Sequence, residues 1–160
     1  IRQAVLMKLL FVCLGNICRS PLAEGILRHK ANELNLDIII DSAGTSNWHI
    51  DQHPDKRSVM SAKKHGIDIS KLKGRQFTVS DFDTFDHIFV MDSNNYSDVM
   101  ALARHEDDKN KVELILNRVH KDSNMAVPDP YFGGEQGFEN VFILLEKACD
   151  VVALSLQNTN

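Results

Sequence analysis

The sequence predicts a single α/β domain built on a doubly wound, four-stranded parallel sheet with helices on both faces. Two observations carry this. Four short apolar runs, Lys8–Val12, Asp37–Ile40, His87–Met91 and Lys111–Leu116, alternate with longer segments whose apolar residues recur at helical spacing. The first strand-helix-strand unit also has the length of a parallel pair joined by a right-handed crossover.

The run Lys8–Val12 reads as a strand buried on both faces. It leads into Cys13-Leu14-Gly15-Asn16-Ile17-Cys18-Arg19-Ser20-Pro21, a loop that opens a helix. Ser20 reads as the N-cap and Pro21 as the first helical residue, where a missing N–H is harmless. Backbone N–H groups curled at a helix N-terminus form a nest for a phosphate-sized dianion. A guanidinium and a helix N-terminus both favour a thiolate, which makes Cys13 the candidate nucleophile. Arg19 offers a planar fork matching two oxygens of a phosphoryl group. Gly15 supplies tight curvature. Asn16 and Ser20 suit holding the loop's shape, and the Ser20 hydroxyl could donate to the sulfur. Cys18 is either a reversible disulfide partner of Cys13 or a small packing residue.

The first helix, about Ser20 to Asn35, turns Leu22, Ile26, Leu27, Ala31 and Leu34 inward. After the second strand, Ser42 to Asp55 is a polar loop carrying Trp48, His49, Asp51 and His53. No rigid element fixes these groups, so no metal site is expected from them. Trp48, the only tryptophan, reads as a core anchor. Asp55 to His65 reads as a helix with Val59 and Ala62 inward, stopped by Gly66, and Lys71 to Arg75 as a solvated face. Asp92, at a strand's carboxyl end beside the switch-point crevice, reads as the cap of a helix from Asn94 to about Arg104. His105 to Asp108 reads as an exposed charged turn.

Asn117 to Gly134 is a longer loop than a compact domain usually carries without purpose. Within it, Pro128 and Pro130 fix the backbone around Asp129. Alone that is a rigid turn; paired with the Cys13 loop it is a carboxylate that has been aimed. The last helix, about Gln136 to Leu156, turns Phe138, Val141, Phe142, Leu145, Ala148, Val152 and Leu156 inward, with Cys149 buried and inert.

With 160 residues and 43% apolar content, the chain can bury one full core. A net charge of −4 gives no basic field for nucleic acid or a membrane surface. Three cysteines, two of them in the loop, do not make a disulfide framework, and a reducing cytoplasm suits them. No run approaches the ~18–20 apolar residues of a membrane span. Residues 1–6 read as an extension and 7–157 as the single domain.

The Cys13–Pro21 loop resembles the signature loop of the low-molecular-weight protein tyrosine phosphatases, and Asp129-Pro130-Tyr131 resembles their general-acid loop. Asp41 to Thr45 and Phe89 to Asn94 resemble further segments in the same order, and the similarity runs from about Met7 to the last helix. The resemblance implies a flavodoxin-like strand order of the phosphatase-I type. It implies hydrolysis of phosphotyrosine in proteins through a phosphocysteine, without cofactor or metal. Cys13 would be the nucleophile, Arg19 and the loop N–H groups the phosphate ligands, and Asp129 the general acid and base. Leu14, Ile17, Trp48 and Tyr131 would wall the pocket, while Asn16, Ser20, Ser42 and Asp92 would support it. Inorganic phosphate or sulfate would bind the loop of a monomer or weak homodimer. Many members have a supporting histidine at the position of Leu72. Arsenate reductases resemble the loop too, but they need a cysteine pair near Met91 and Asp92 that this chain lacks. A phosphate-binding domain without catalysis would have no use for Asp129.

Overall fold

The computed structural model describes residues 6–131 and 133–157. The expected extension at 1–6 therefore lies, apart from residue 6, outside the described residues. In chain order the elements are β1 (Met7–Cys13), α1 (Arg19–Glu33), β2 (Ile38–Gly44), α2 (Lys56–Lys64), α3 (Asp81–Thr84), β3 (His87–Val90), α4 (Ser93–Met100), α5 (Glu106–Asn110), β4 (Val112–Leu114) and α6 (Gly134–Gln157), with a 3₁₀ turn at Ile115–Arg118. The sheet order is β2-β1-β3-β4, every pair parallel. This is the doubly wound arrangement expected from the sequence.

β1 is central and its residues from Leu9 to Val12 are fully buried. Successive side chains of a strand point to opposite faces. Leu9, Phe11 and Cys13 therefore enter the core shared with α1, α2 and α6, while Leu10 and Val12 meet Phe82 of α3 and Val99 of α4. The register sets Phe11 beside Ser42 and Cys13 beside Gly44 on one side, and Val12 beside Val90 on the other. Successive strands leave β1 in opposite directions, so a crevice opens at the carboxyl ends of β1 and β3. Cys13 and Asp92 stand at those two ends.

Several elements differ from the sequence expectation. α1 starts at Arg19 with Cys18 at its cap position and no side-chain cap bond. Ser20 is not the N-cap because its hydroxyl is used on Cys13 and Asn16. Pro21 is thus the third helical residue, still within the first turn, where its missing N–H leaves no bond unmade. β2 continues past its isoleucines to Gly44 because pairing with β1 holds Asp41–Gly44 extended. The stretch at 71–75 is not merely a solvated face, since Arg75 spans Asp41 and Asp81. β4 is short and passes into the 3₁₀ turn.

His105 to Asp108 is not a free charged turn but leads into α5. Asp108 is buried, accepting from the Arg104 backbone N–H at 2.9 Å and from its guanidinium at 2.9 and 3.1 Å. These hydrogen bonds hold the Asp108 carboxyl down at about 2. A carboxyl depressed on folding stabilises above its unfolded value, about 3.9, and the contribution fades as pH falls toward the folded one. Asp108→Asn should therefore lower the denaturation midpoint at pH 6, with a gap to the parent that narrows steadily from pH 4 toward pH 2. A gap independent of pH would contradict this.

Candidate active site

The loop between β1 and α1 closes over its own cysteine. Cys13, 2% exposed, ends β1, and its Sγ receives the Asn16 backbone N–H at 3.3 Å. The Ser20 Oγ lies 3.0 Å from the same sulfur. That hydroxyl already accepts from Asn16 Nδ2 at 2.8 Å, so its one hydrogen is left for Sγ or for the Ala43 carbonyl at 3.3 Å. Asn16, not Gly15, takes the left-handed conformation that bends the loop, with φ of 57°. Asparagine tolerates that region better than most side chains.

Asn16 is also the hub beneath the loop. Its Nδ2 donates to Ser42 Oγ at 3.0 Å, and its Oδ1 accepts the Arg75 backbone N–H at 3.0 Å. Ser42 in turn donates to Glu24 Oε1 at 2.7 Å, whose other oxygen accepts from Arg28 at 2.7 Å. Burial pushes the Glu24 carboxyl up, against these hydrogen bonds. Leu72 takes no part in this network. Its side chain packs on the core and its carbonyl meets His53 Nδ1 at 2.9 Å.

Arg19 is 3% exposed. Its Nη1 donates to Asp92 Oδ2 at 2.7 Å and to the Val127 carbonyl at 2.9 Å. Asp92 divides its oxygens, since Oδ1 caps α4 through the Asn95 N–H at 2.8 Å. Val127 is fully buried, and its own N–H donates to the Met91 carbonyl at 2.8 Å. The segment leading to Asp129 is thereby pinned to the end of β3.

A cavity of about 260 Å³ opens over the loop, lined by Cys13, Leu14, Gly15, Ile17, Cys18, Arg19, Trp48, His49, Asp129 and Tyr131. Cys13, Arg19 and Asp129 thus share one concavity across more than a hundred residues of chain. Leu14, Ile17, Trp48 and Tyr131 stand around it. Trp48 is 66% exposed and is no core anchor. Asp129 is exposed, and its Oδ1 accepts the Tyr131 N–H at 3.0 Å. Cys18 is a free, buried thiol whose proton is held tightly by burial, with the charges of Asp55, Cys13 and Asp129 adding to the effect. Of the loop histidines, only His49 lines the cavity, with Nδ1 on Gln52 at 2.8 Å.

The family model described as low molecular weight phosphotyrosine protein phosphatase matches residues 8–160. The chain belongs to this family. The Schizosaccharomyces pombe low molecular weight phosphotyrosine protein phosphatase is 39% identical over 142 residues, covering 87% of this chain and 90% of the relative. The crystal structure of YfkJ from Bacillus subtilis superposes with a TM-score of 0.90 at 36% identity, covering 99% of each chain. That of the Entamoeba histolytica protein tyrosine phosphatase with Hepes in the active site gives 0.89 at 39% identity, covering 96% of this chain and 98% of the other. The chain is a low molecular weight protein tyrosine phosphatase, a hydrolase.

Four residues of the phosphatase's site escaped the sequence reading: Glu24, Gly44, Arg57 and Arg75. Only Gly44 left a signal, as a small residue at the end of β2. A Cβ on Gly44 would stand 2.8 Å from the Leu14 carbonyl and 3.0 Å from the Asn16 nitrogen. Both are backbone atoms of the loop that cannot swing aside. Gly44→Ala should therefore displace the loop, weakening competitive inhibition by inorganic phosphate by about tenfold or more while the far-UV circular dichroism persists. Unchanged phosphate affinity in that variant would refute the close-approach role.

Proposed function

We propose that this phosphatase hydrolyses phosphotyrosine in proteins in two steps through a phosphocysteine. The Cys13 thiolate attacks phosphorus in line, and Asp129 in its protonated form gives its proton to the departing tyrosyl oxygen. Water then attacks the phosphocysteine, with Asp129 taking a proton and the Cys13 sulfur leaving. Ser20, with its one hydrogen within reach of that sulfur, eases the departure. Arg19 and the loop N–H groups bind the three equatorial oxygens and offset the charge spread over them in both transition states. Residues 7–157 form the one domain that does this.

The observation that carries the reading is the shared cavity. Among the described residues, the nucleophile, the guanidinium and the one acid lining it converge there, and Arg19 spends just one terminal nitrogen on protein partners. The Hepes in the Entamoeba enzyme's active site is a sulfonate, consistent with a tetrahedral anion such as phosphate or sulfate in this loop. Trp48, Tyr131, Leu14 and Ile17 make apolar walls suited to a flat phosphotyrosine ring, and a phosphoserine would be too short to reach the sulfur. When a peroxide has oxidised the Cys13 thiolate to a sulfenic acid, Cys18, in the same cup, is proposed as the thiol that condenses with it, releasing water and protecting the nucleophile from further oxidation.

Without added metal, the protein should turn over a phosphotyrosine peptide and leave phosphoserine and phosphoarginine peptides largely untouched. Preference for phosphoarginine would redirect the substrate assignment. Asp129→Asn should slow turnover by about 10²–10⁴-fold while still binding phosphate. Cys13→Ser should form no phosphoenzyme, and an active Cys13→Ser variant would remove the nucleophile from the scheme.

A further inference from the structure

Arg57 does not line the phosphate cup, yet it joins the start of α2 to the segment that follows Asp129. Its Nε and Nη2 grip Asp55 Oδ1 and Oδ2 at 3.1 and 3.0 Å. Its Nη1 donates to the Tyr131 carbonyl at 2.7 Å. The guanidinium carbon also stacks 5.0 Å from the Tyr131 ring centre and 4.7 Å from that of Phe138, which α6 buries.

The far end of this clamp is anchored to the nucleophile loop. The Asp55 N–H donates to the Ile17 carbonyl at 2.8 Å, and the Ser58 hydroxyl donates to the Cys18 carbonyl at 3.0 Å. Asp55 further caps α2 through the Arg57 N–H at 2.8 Å. The start of α2 is thus fixed to the cup, and Arg57 reaches from it to the residue whose N–H holds the Asp129 carboxylate. Asp129 hangs between two arginines: Arg19 secures the chain before it at Val127, and Arg57 secures the chain after it at Tyr131.

We propose that Arg57 is the positioning residue for Asp129, fixing Tyr131 by its carbonyl and ring so that the N–H of the same residue holds the carboxyl over the leaving oxygen. The inference rests on the reading of Asp129 as general acid. A planar fork with two flat faces is needed to hold a carboxylate, a carbonyl and two rings together, and lysine lacks it.

The test separates proton donation from everything else the site does. For 4-nitrophenyl phosphate the leaving oxygen needs little help; for phenyl phosphate it needs a proton, and kcat/KM reports the step that breaks this bond. Arg57→Gln should lower kcat/KM for phenyl phosphate by about tenfold more than for 4-nitrophenyl phosphate, and leave inhibition by inorganic phosphate within about twofold. Arg57→Lys should do the same to a smaller degree, and its ratio decides the matter if the Gln variant fails to fold by circular dichroism. A purely structural role would lower both esters by one common factor. Asp129→Asn run alongside keeps the two hypotheses apart. If it shows no leaving-group discrimination, the acid assignment itself falls. If it discriminates and the Arg57 variants keep the parent ratio, the positioning role alone falls.

Discussion

A single buried guanidinium ties together the three pieces of chain that meet at the site. Arg19 leaves the Cys13 loop at the first position of α1 and crosses to Asp92 at the end of β3 and to the carbonyl of Val127. Charges are seldom buried without a partner, because removal from water is costly. Here one nitrogen meets a carboxylate and a carbonyl, so the cation is compensated, and its planar fork is fixed before any anion arrives. Moving any of the three segments would strand the charge. That coupling makes the geometry of the cup depend on the register of β1 against β3.

The same economy of rigid parts recurs beneath the loop. Asn16 accepts strain in its own backbone and answers it with three side-chain hydrogen bonds, to Ser20, Ser42 and the Arg75 N–H. Strained backbone persists where surrounding structure over-determines it. Loop N–H groups held in this way are aimed in advance, and stabilisation of developing charge works best when the donors need not reorganise. The Ser42–Glu24–Arg28 chain extends this support to the solvent side of α1. An exposed arginine there faces a buried carboxylate, so the network ends in a compensated charge.

How the site closes from above follows from the long loop between the 3₁₀ turn and α6. It is cross-braced by Asn117 and Asn124, whose side chains bond each other at 3.1 Å while Asn117 also accepts the Asn124 N–H at 2.8 Å. Val127 then docks in the core, and Tyr131 docks on Arg57. A segment with so little regular structure is thus held at two points, with Asp129 between them. The carboxylate is exposed to incoming substrate while its backbone is restrained by prolines on either side.

Much of this was legible in the sequence because the determining residues are neighbours. Cys13 to Pro21 and Pro128 to Pro130 carry their chemistry within a few positions, and apolar periodicity marks β1 and α6 without reference to anything distant. The sequence by itself determined the strand-loop-helix order and singled out the candidate nucleophile, its arginine and the candidate acid. It did not reveal that Asn16 rather than Gly15 bends the loop, that Ser20 stands inside the helix rather than at its cap, or that Asp108 is buried. Nor did it mark Glu24, Arg57 or Arg75 as parts of the site, and Gly44 showed only as a small residue at the end of β2. Those depend on contacts between residues far apart in the chain: Ser42 lies under Asn16 only because β2 pairs with β1 in one register, and Arg57 meets Tyr131 only because α2 and α6 pack on the same face. Local pattern encodes which chemistry is available, but the distance between groups is decided by how the sheet and its helices pack, and that is a property of the tertiary structure alone.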